Sequence, residues 1–216
     1  ITVNGGMSEF VDRTVTDFNG DGSQGFCGVI DGKGYVISGL TKKTNNGNAF
    51  ISVMHRDGVL KNIGFVNASF EANEGSFLVH TGAGTVQNVY VQYNKISGAS
   101  PNGYSGTLYN ANLKVNRLVV DVTSTQISGN GNKFLLMTDN READLKNFIC
   151  LFGDNYSLQD VESGKVTVES NQDFTNDDYR KSFAKKVFFG SDELKNSEVF
   201  AGMSDWDGNL WHIDVD

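Results

Sequence analysis

The sequence predicts an all-β chain wound as a right-handed parallel β-helix, a solenoid of about five to six turns with a less regular C-terminal cap. Three observations predict it. Twenty-five Gly stand against a single proline, Pro101, and only 20% of the 216 residues are charged, which describes a chain that turns often on Gly and Asn between proline-free ladders. A pattern of two short apolar runs recurs along much of the chain. Fifteen Phe supply the bulk for a core in which like side chains stack on like.

The recurrence is read directly from the residues. "NAFISVMHRDGVLKNIGFVNASF" (48–70) aligns with "GSFLVHTGAGTVQNVYVQYNKIS" (75–97). Phe50 falls on Phe77, a step of 27, while Gly58 falls on Gly84, Leu60 on Val86, Asn62 on Asn88 and Phe65 on Val91, each a step of 26. A third copy is "SGTLYNANLKVNRLVVDVTS" (105–124) and a fourth is "NKFLLMTDNREADLKNFICLF" (132–152); Val86 to Val115 is a step of 29, and Val115 to Leu145 a step of 30. Ahead of them, "GFCGVIDGKGYVISGLT" (25–41) reads as two short strands around the turn "DGKG", with Phe26, Ile30, Val36, Ile37 and Leu40 apolar. That places Phe26 one turn of the solenoid ahead of Phe50, a step of 24. A helical repeat would need a sustained 3.6-residue pattern, which these runs lack, whereas strands that stack copy on copy need the pattern they have.

One domain is expected over residues 1–216: a lead-in and cap over 1–24, the repeats over 25–152, and irregular turns with a C-terminal cap over 153–216. Within the last part, residues 157–195 are the most charged. They hold one strand-like stretch, "KVTVES" (165–170), and a short helix is expected around "DDYRKSFAKK" (177–186). Phe183, Phe188, Phe189, Phe200, Trp206 and Trp211 give this part a heavy aromatic load. Some of it must cover the last turn of a solenoid, whose open edge would otherwise recruit other chains. The first residue is Ile1 rather than Met, so the sequence is expected to be a piece of a longer polypeptide. It has neither the about 20 consecutive apolar residues of a membrane-spanning helix nor, at "ITVNGGMSEF", the features of a signal peptide.

The pattern F-x-G-x-x-D-G-x-G-Y-x-I-x-x-L over residues 26–40, followed by "NAF" (48–50) and "GVLKNIGFVN" (58–67), resembles the GLUG-type repeat. That repeat is shared by β-helical bacterial surface proteins and by phage structural proteins. The resemblance is close over 25–97 and loose over 105–152, where the Gly-rich part of the motif is lost. The segment "SDWDGNLWHIDVD" (204–216) is similar to the tryptophan-containing segment that ends such repeat domains. The resemblance implies a non-enzymatic structural or adhesive domain of a bacteriophage virion, in a tail fibre, spike or appendage, that contacts other virion subunits or host surface glycans. The alternatives it leaves are an adhesin repeat domain at the bacterial cell surface and a polysaccharide-degrading enzyme on the same solenoid.

The residues themselves point to no chemistry. A formal charge of −8 and a pI near 4.8 argue against nucleic acid or an anionic membrane as partner, since both need clustered Lys and Arg. Asp17-x-Asn19-x-Asp21-Gly22 satisfies the first half of a twelve-residue calcium loop, but position nine is Gly25 and position twelve is Gly28. An Asn/Asp/Gly turn is expected there rather than calcium. Asp57, Asp121, Asp139 and Asp144 fall at different phases of the repeat, so stacking does not gather them into the paired carboxylates that glycoside hydrolysis needs. Asp177 and Asp178 read as a charged helix start. His55, His80 and His212 have no partner at metal or triad spacing, although His55 and His80 stand one period apart and are expected to stack or to face solvent. Cys27 and Cys150 read as two buried thiols rather than a disulfide. Asn62, Asn88 and Asn147 recur at one turn position, where amides can form a ladder of side-chain hydrogen bonds. Tyr90, Tyr93, Tyr104 and Tyr109 suggest an aromatic strip for sugars, of which only part is exposed, because Tyr90 and Tyr93 face opposite sides of one strand. No catalytic, cofactor or metal residue is expected. The expected partners are other protein subunits, in a homo- or hetero-oligomer, and surface glycans.

Overall fold

The computed structural model describes residues 25–44, 49–72, 75–98, 104–108, 111–129, 132–137, 144–152, 167–169 and 185–188. Among them there is no helix. The strands are β1 (Val29–Asp31), β2 (Val36–Ser38), β3 (Thr41–Thr44), β4 (Ile51–Met54), β5 (Val59–Ala72), β6 (Gly75–Gly98), β7 (Tyr104–Leu108), β8 (Ala111–Asp121), β9 (Gln126–Gly129), β10 (Asn132–Met137), β11 (Asp144–Leu151), β12 (Thr167–Glu169) and β13 (Lys185–Phe188). They form one sheet in which every pairing is parallel.

The sheet is laid down in rows. Phe26 with β1, β2 and β3 forms the first row, beside β4 and β5 of the second. The second lies beside β6, and β6 lies beside β7, β8 and β9. The pairing then passes from β7 to β10 and from β8 to β11, and on to β12 and β13. Leu60 lies opposite Val86, Phe65 opposite Val91, Val86 opposite Val115 and Leu145 opposite Val115, as the repeat predicts.

A 14-residue strand such as β5 would ordinarily send alternate side chains to opposite faces throughout. Here left-handed residues interrupt the alternation. Asn62 has φ 54°, and on either side of it Leu60 and Ile63, an odd separation, both point into the core, with Phe65 following. The same corner recurs at Asn88 (φ 52°) between Val86 and Val89, and at Arg117 (φ 60°) between Val115 and Leu118. Three columns of buried side chains result: Leu60, Val86 and Val115; Ile63, Val89 and Leu118; Phe65, Val91 and Val120. A second corner at Asn67 (φ 51°) brings Ala68 and Phe70 inward after Phe65.

Aromatic rings join parts of the rows that are far apart along the chain. Phe65 meets Phe50 at 5.2 Å and Phe77 at 5.5 Å, and Phe77 meets Tyr93 at 5.3 Å and Phe70 at 6.4 Å, all edge to face. Each such pair contributes about 0.5 to 1.5 kcal/mol beyond the area it buries. Phe50 and Phe77 are both buried on adjacent rows, and the Phe50 amide donates to the Phe77 carbonyl at 2.8 Å. Phe65 touches both of their rings.

Several expectations need correction. Phe26 does not align with Phe50; it bridges to Met54, a step of 28. Phe26 takes the place of Met54, just before the turn at 55–58, and not that of Phe50. The turn "DGKG", with Lys33 (φ 51°) and Gly34 (φ 81°), puts four residues between Asp31 and Val36 where two separate their partners Lys61 and Gly64, but two residues separate Phe26 from Val29 where four separate Met54 from Val59, so the stretch from Phe26 to Val36 is as long as that from Met54 to Gly64. Phe26, Ile30, Ile37 and Leu40 pack on the core, and Val36 is exposed. Cys27 is also exposed, not buried, while Cys150 is buried in the core; both are free thiols. Of the expected helix at 177–186, Lys185 and Lys186 instead open β13, and the remainder lies outside the described residues. Pairing continues beyond residue 153 with longer steps, 33 from Phe134 to Thr167 and 37 from Phe148 to Lys185.

The third row turns more tightly than the second. Met54 lies opposite Gly82, a step of 28, but Val59 lies opposite Thr85, a step of 26, because Gly82 and Gly84 replace the longer turn at 55–58. A Cβ on Gly82 would stand 2.0 Å from the Met54 carbonyl oxygen, and the φ of 118° there strains any residue with a side chain on its own account.

Phe77 is the ring at which three others meet. Phe77→Ala is expected to destabilise the chain by about 3 to 5 kcal/mol, through lost transfer and an unfilled cavity, as read from urea unfolding followed by circular dichroism.

Candidate functional site

The corner residues carry the most ordered polar arrangement in the described structure. The Asn62 side-chain amide donates to Asp31 Oδ1 at 3.1 Å, and the Asn88 amide donates to Asn62 Oδ1 at 2.7 Å. Arg117 Nε donates to Asn88 Oδ1. Every donor points toward the first row and every acceptor toward the later ones, so the ladder is directional. Among the described side chains it runs from a carboxylate to a guanidinium, the two charges that such a chain of aligned amide dipoles favours at its ends.

The local sequence accounts for the placement. Asn enters the left-handed region more readily than other residues with a side chain because its short amide bonds locally, and a residue at this corner aims its side chain along the column of rows. In the first row, where the "DGKG" turn replaces the corner, Asp31 receives the ladder. Its carboxylate also accepts from the Lys33 amide at 3.0 Å and pairs with Lys61 Nζ at 3.4 Å. The Asn62 hydrogen bond, ahead of the Lys33 amide and the Lys61 charge, holds the Asp31 carboxyl below the usual carboxylate range. Asn147 lies level with Arg117 by register, between Lys146 opposite Asn116 and Phe148 opposite Leu118.

Two further polar sets lie near the following corner. Tyr90 donates its hydroxyl to Asp121 Oδ2 at 2.6 Å, and Asp121 Oδ1 accepts from the Thr123 amide at 2.9 Å and the Thr123 hydroxyl at 2.7 Å. Burial first, and the Asp121 charge second, push the Tyr90 hydroxyl far above its ordinary range. Tyr93, fully buried, shares a hydrogen bond with Thr107 Oγ1 at 2.9 Å, and Thr125 donates its hydroxyl to the Tyr93 carbonyl at 2.7 Å. On the outer face Glu71 pairs with Lys95 at 3.1 Å and Lys43 at 3.3 Å; the Lys95 hydrogen bond leads in holding its carboxyl low.

Asn62 and Asn88 therefore join as the repeat predicts. Tyr90 and Tyr93 face opposite sides, also as predicted, but neither presents a free ring for sugar stacking, since one is tied to Asp121 and the other lies inside the core. Tyr109 lies outside the described residues. His55 and His80 do not stack. His80 sits on β6 opposite Ser52, whereas His55 lies in the turn at 55–58, with its Nδ1 accepting from the Asp57 amide at 3.1 Å. Burial pushes the His80 imidazole down to about 4, so it is neutral near pH 7. Asp57 lies in that turn, Asp121 opposite Gln92 and Leu151, and Asp144 opposite Lys114, so these three acids stay apart. Asp17, Asn19, Asp21, Asp139, Asp177, Asp178 and His212 lie outside the described residues, among which no group of three metal-binding side chains occurs.

Asp31 and Arg117, the two charged ends of the ladder, escape the sequence reading. Arg117 lies 29 residues after Asn88, the same step that joins Val86 to Val115, so the repeat does carry that signal. Asp31 is hidden because it lies opposite Lys61, one residue off Asn62.

No family model, curated protein or solved structure matches the chain, so the likeness to the GLUG-type repeat rests on the residues quoted for it.

Asn88 is buried, and its amide serves both neighbours in the ladder. Asn88→Gly is expected to cost about 1 to 3 kcal/mol for the groups left unpaired, and Asn88→Ala about 1 kcal/mol more, since alanine must also adopt the left-handed conformation. Chemical denaturation of the two variants in parallel measures the difference.

Proposed function

We propose that the chain is a non-enzymatic structural domain, wound as a right-handed parallel β-helix, that works as part of a larger assembly in a phage appendage. The observation that carries this reading is the ladder from Asp31 to Arg117. The polar groups that recur in register bind one another from row to row, and so serve cohesion along the column. A catalytic face on stacked rows would instead need carboxylates held 5 to 10 Å apart and open to substrate, and the buried acid of this region, Asp121, is held by Tyr90 and Thr123.

The solenoid winding is supported by the rings. Phe50 and Phe77 come from the early part of their rows, and Phe65, Phe70 and Tyr93 from the later part, yet all share one cluster. Rows that curl round to enclose that cluster account for the contacts, and the right-handed sense follows the strong preference of parallel crossovers. Assembly is the natural use of such a body, since each end of a stack of rows offers unpaired backbone that must be covered or joined. The phage setting is carried by the likeness of residues 26–40 and 58–67 to the GLUG-type repeat.

Two measurements on the purified chain test the reading: its mass by sedimentation, and the release of oligosaccharides from bacterial surface polysaccharides. A stable assembly without product is the expected result. A monomer that liberates oligosaccharides would replace this reading with that of a polysaccharide-degrading enzyme.

A further inference from the structure

One inner column of the rows changes character at β3. Lys42 lies opposite Phe70, Phe70 opposite Ile96, and Ile96 opposite Ile127. Facing residues of parallel strands project to the same side of a sheet, and Phe70 and Ile96 are buried in the core, with Ile127 packed against it. Lys42 therefore stands on the core side of the first row, at the position where the next three rows place an apolar side chain. Leu40, two residues before it, packs on the same core. Lys42 itself is half-buried. The aliphatic stem of a lysine suits such a place, and its ammonium does not.

Three neighbouring lysines are held against a carboxylate. Lys43 and Lys95 pair with Glu71 at 3.3 and 3.1 Å, and Lys61 pairs with Asp31 at 3.4 Å. Lys42 has no such partner among the described residues, and burial lowers its pKa. A desolvated ammonium gives up its proton more readily, and the amine so freed is a nucleophile. We propose that Lys42 is an acylation site of this chain, the amine that takes an activated acyl group from a small acyl phosphate or thioester. Its nitrogen lone pair attacks the acyl carbon and forms the C–N bond. The C–O or C–S bond to the leaving group breaks, phosphate or thiolate departs with the electron pair, and the amine proton passes to water; nothing is oxidised or reduced. The product is a neutral amide, so acylation removes the one charge on the described part of this column and with it the desolvation penalty that an ammonium meets there. The site is independent of the assembly proposed above.

Limited acetylation of the folded chain tests the site, with acetyl phosphate in one arm, a small acetyl thioester in the other, and modification read lysine by lysine by mass spectrometry. Lys33 and Lys114, both exposed, are the references. In at least one arm Lys42 is expected to be acetylated at neutral pH at least about threefold faster than either reference, and its rate is expected to level off at a lower pH than theirs. The arm that shows the preference names the donor. The preference is expected to vanish in concentrated urea, where burial is lost. Lys42→Met, which keeps the stem and removes the amine, is expected to leave the melting temperature unchanged or raise it. Acetylation of Lys42 no faster than that of Lys33 and Lys114 in both arms overturns the proposal. So does a preference that survives in urea, since it would arise from the local sequence and not from burial, and so does a lower melting temperature of Lys42→Met, since the charge would then be needed where it stands.

Discussion

The left-handed corner is the constraint on which the rest depends. At one recurring position, residues 62, 88 and 117, the chain takes a conformation that most side chains avoid, and by doing so lets two residues of odd separation both face the core. Without it β5 and β6 would present a simple two-faced strand, and either Leu60 or Ile63 would be turned to solvent. A conformation of this kind costs about 1 to 3 kcal/mol where it is not offset. The offset comes from the side-chain ladder, in which each amide both donates and accepts, and from the columns of aliphatic side chains that the corner brings inward.

The two devices reinforce each other. The ladder needs its members at the repeat of parallel strands, about 4.8 Å apart, and the columns Leu60–Val86–Val115 and Ile63–Val89–Leu118 need the same register. A slip of one residue would move every apolar side chain of a row to the wrong face and break the ladder at the same time. Variation in row length is therefore confined to the other turns: two extra residues at "DGKG", a longer turn at 55–58, and a Gly-built shortcut at Gly82 and Gly84. Arg117 shows that the corner accepts a residue other than Asn where its side chain can still reach the ladder.

This explains which parts were legible in the sequence. The alignment of Leu60, Asn62 and Phe65 with Val86, Asn88 and Val91 is visible because corner and core must repeat together. The step from Val86 to Val115 is visible for the same reason, even where the Gly-rich letters are lost. The alignment of Phe26 with Phe50 fails because it matches one Phe to another, whereas the position that Phe26 occupies is held in the second row by Met54. The burial of Cys27 and Val36 is not legible because no described strand lies beyond the first row, and burial there depends on what lies beyond it rather than on local pattern. Arg117 was missed because it has the right position and the wrong letter. His55 and His80 looked paired on spacing alone, and the extra residues of the 55–58 turn separate them.

The recurrent polar groups bind one another from row to row and hold the rows together. This requires that the chain lie beside itself in parallel register across the corner column. Lys61, Gln87 and Asn116 mark successive rows beside that column. Spin labels at pairs of these sites, with Cys27 replaced by serine, measure the spacing by dipolar coupling. The account predicts backbone separations of about 5 Å for positions 61 and 87 and about 10 Å for 61 and 116. Separations beyond about 20 Å for the first pair, or a first pair no closer than the second, would contradict it.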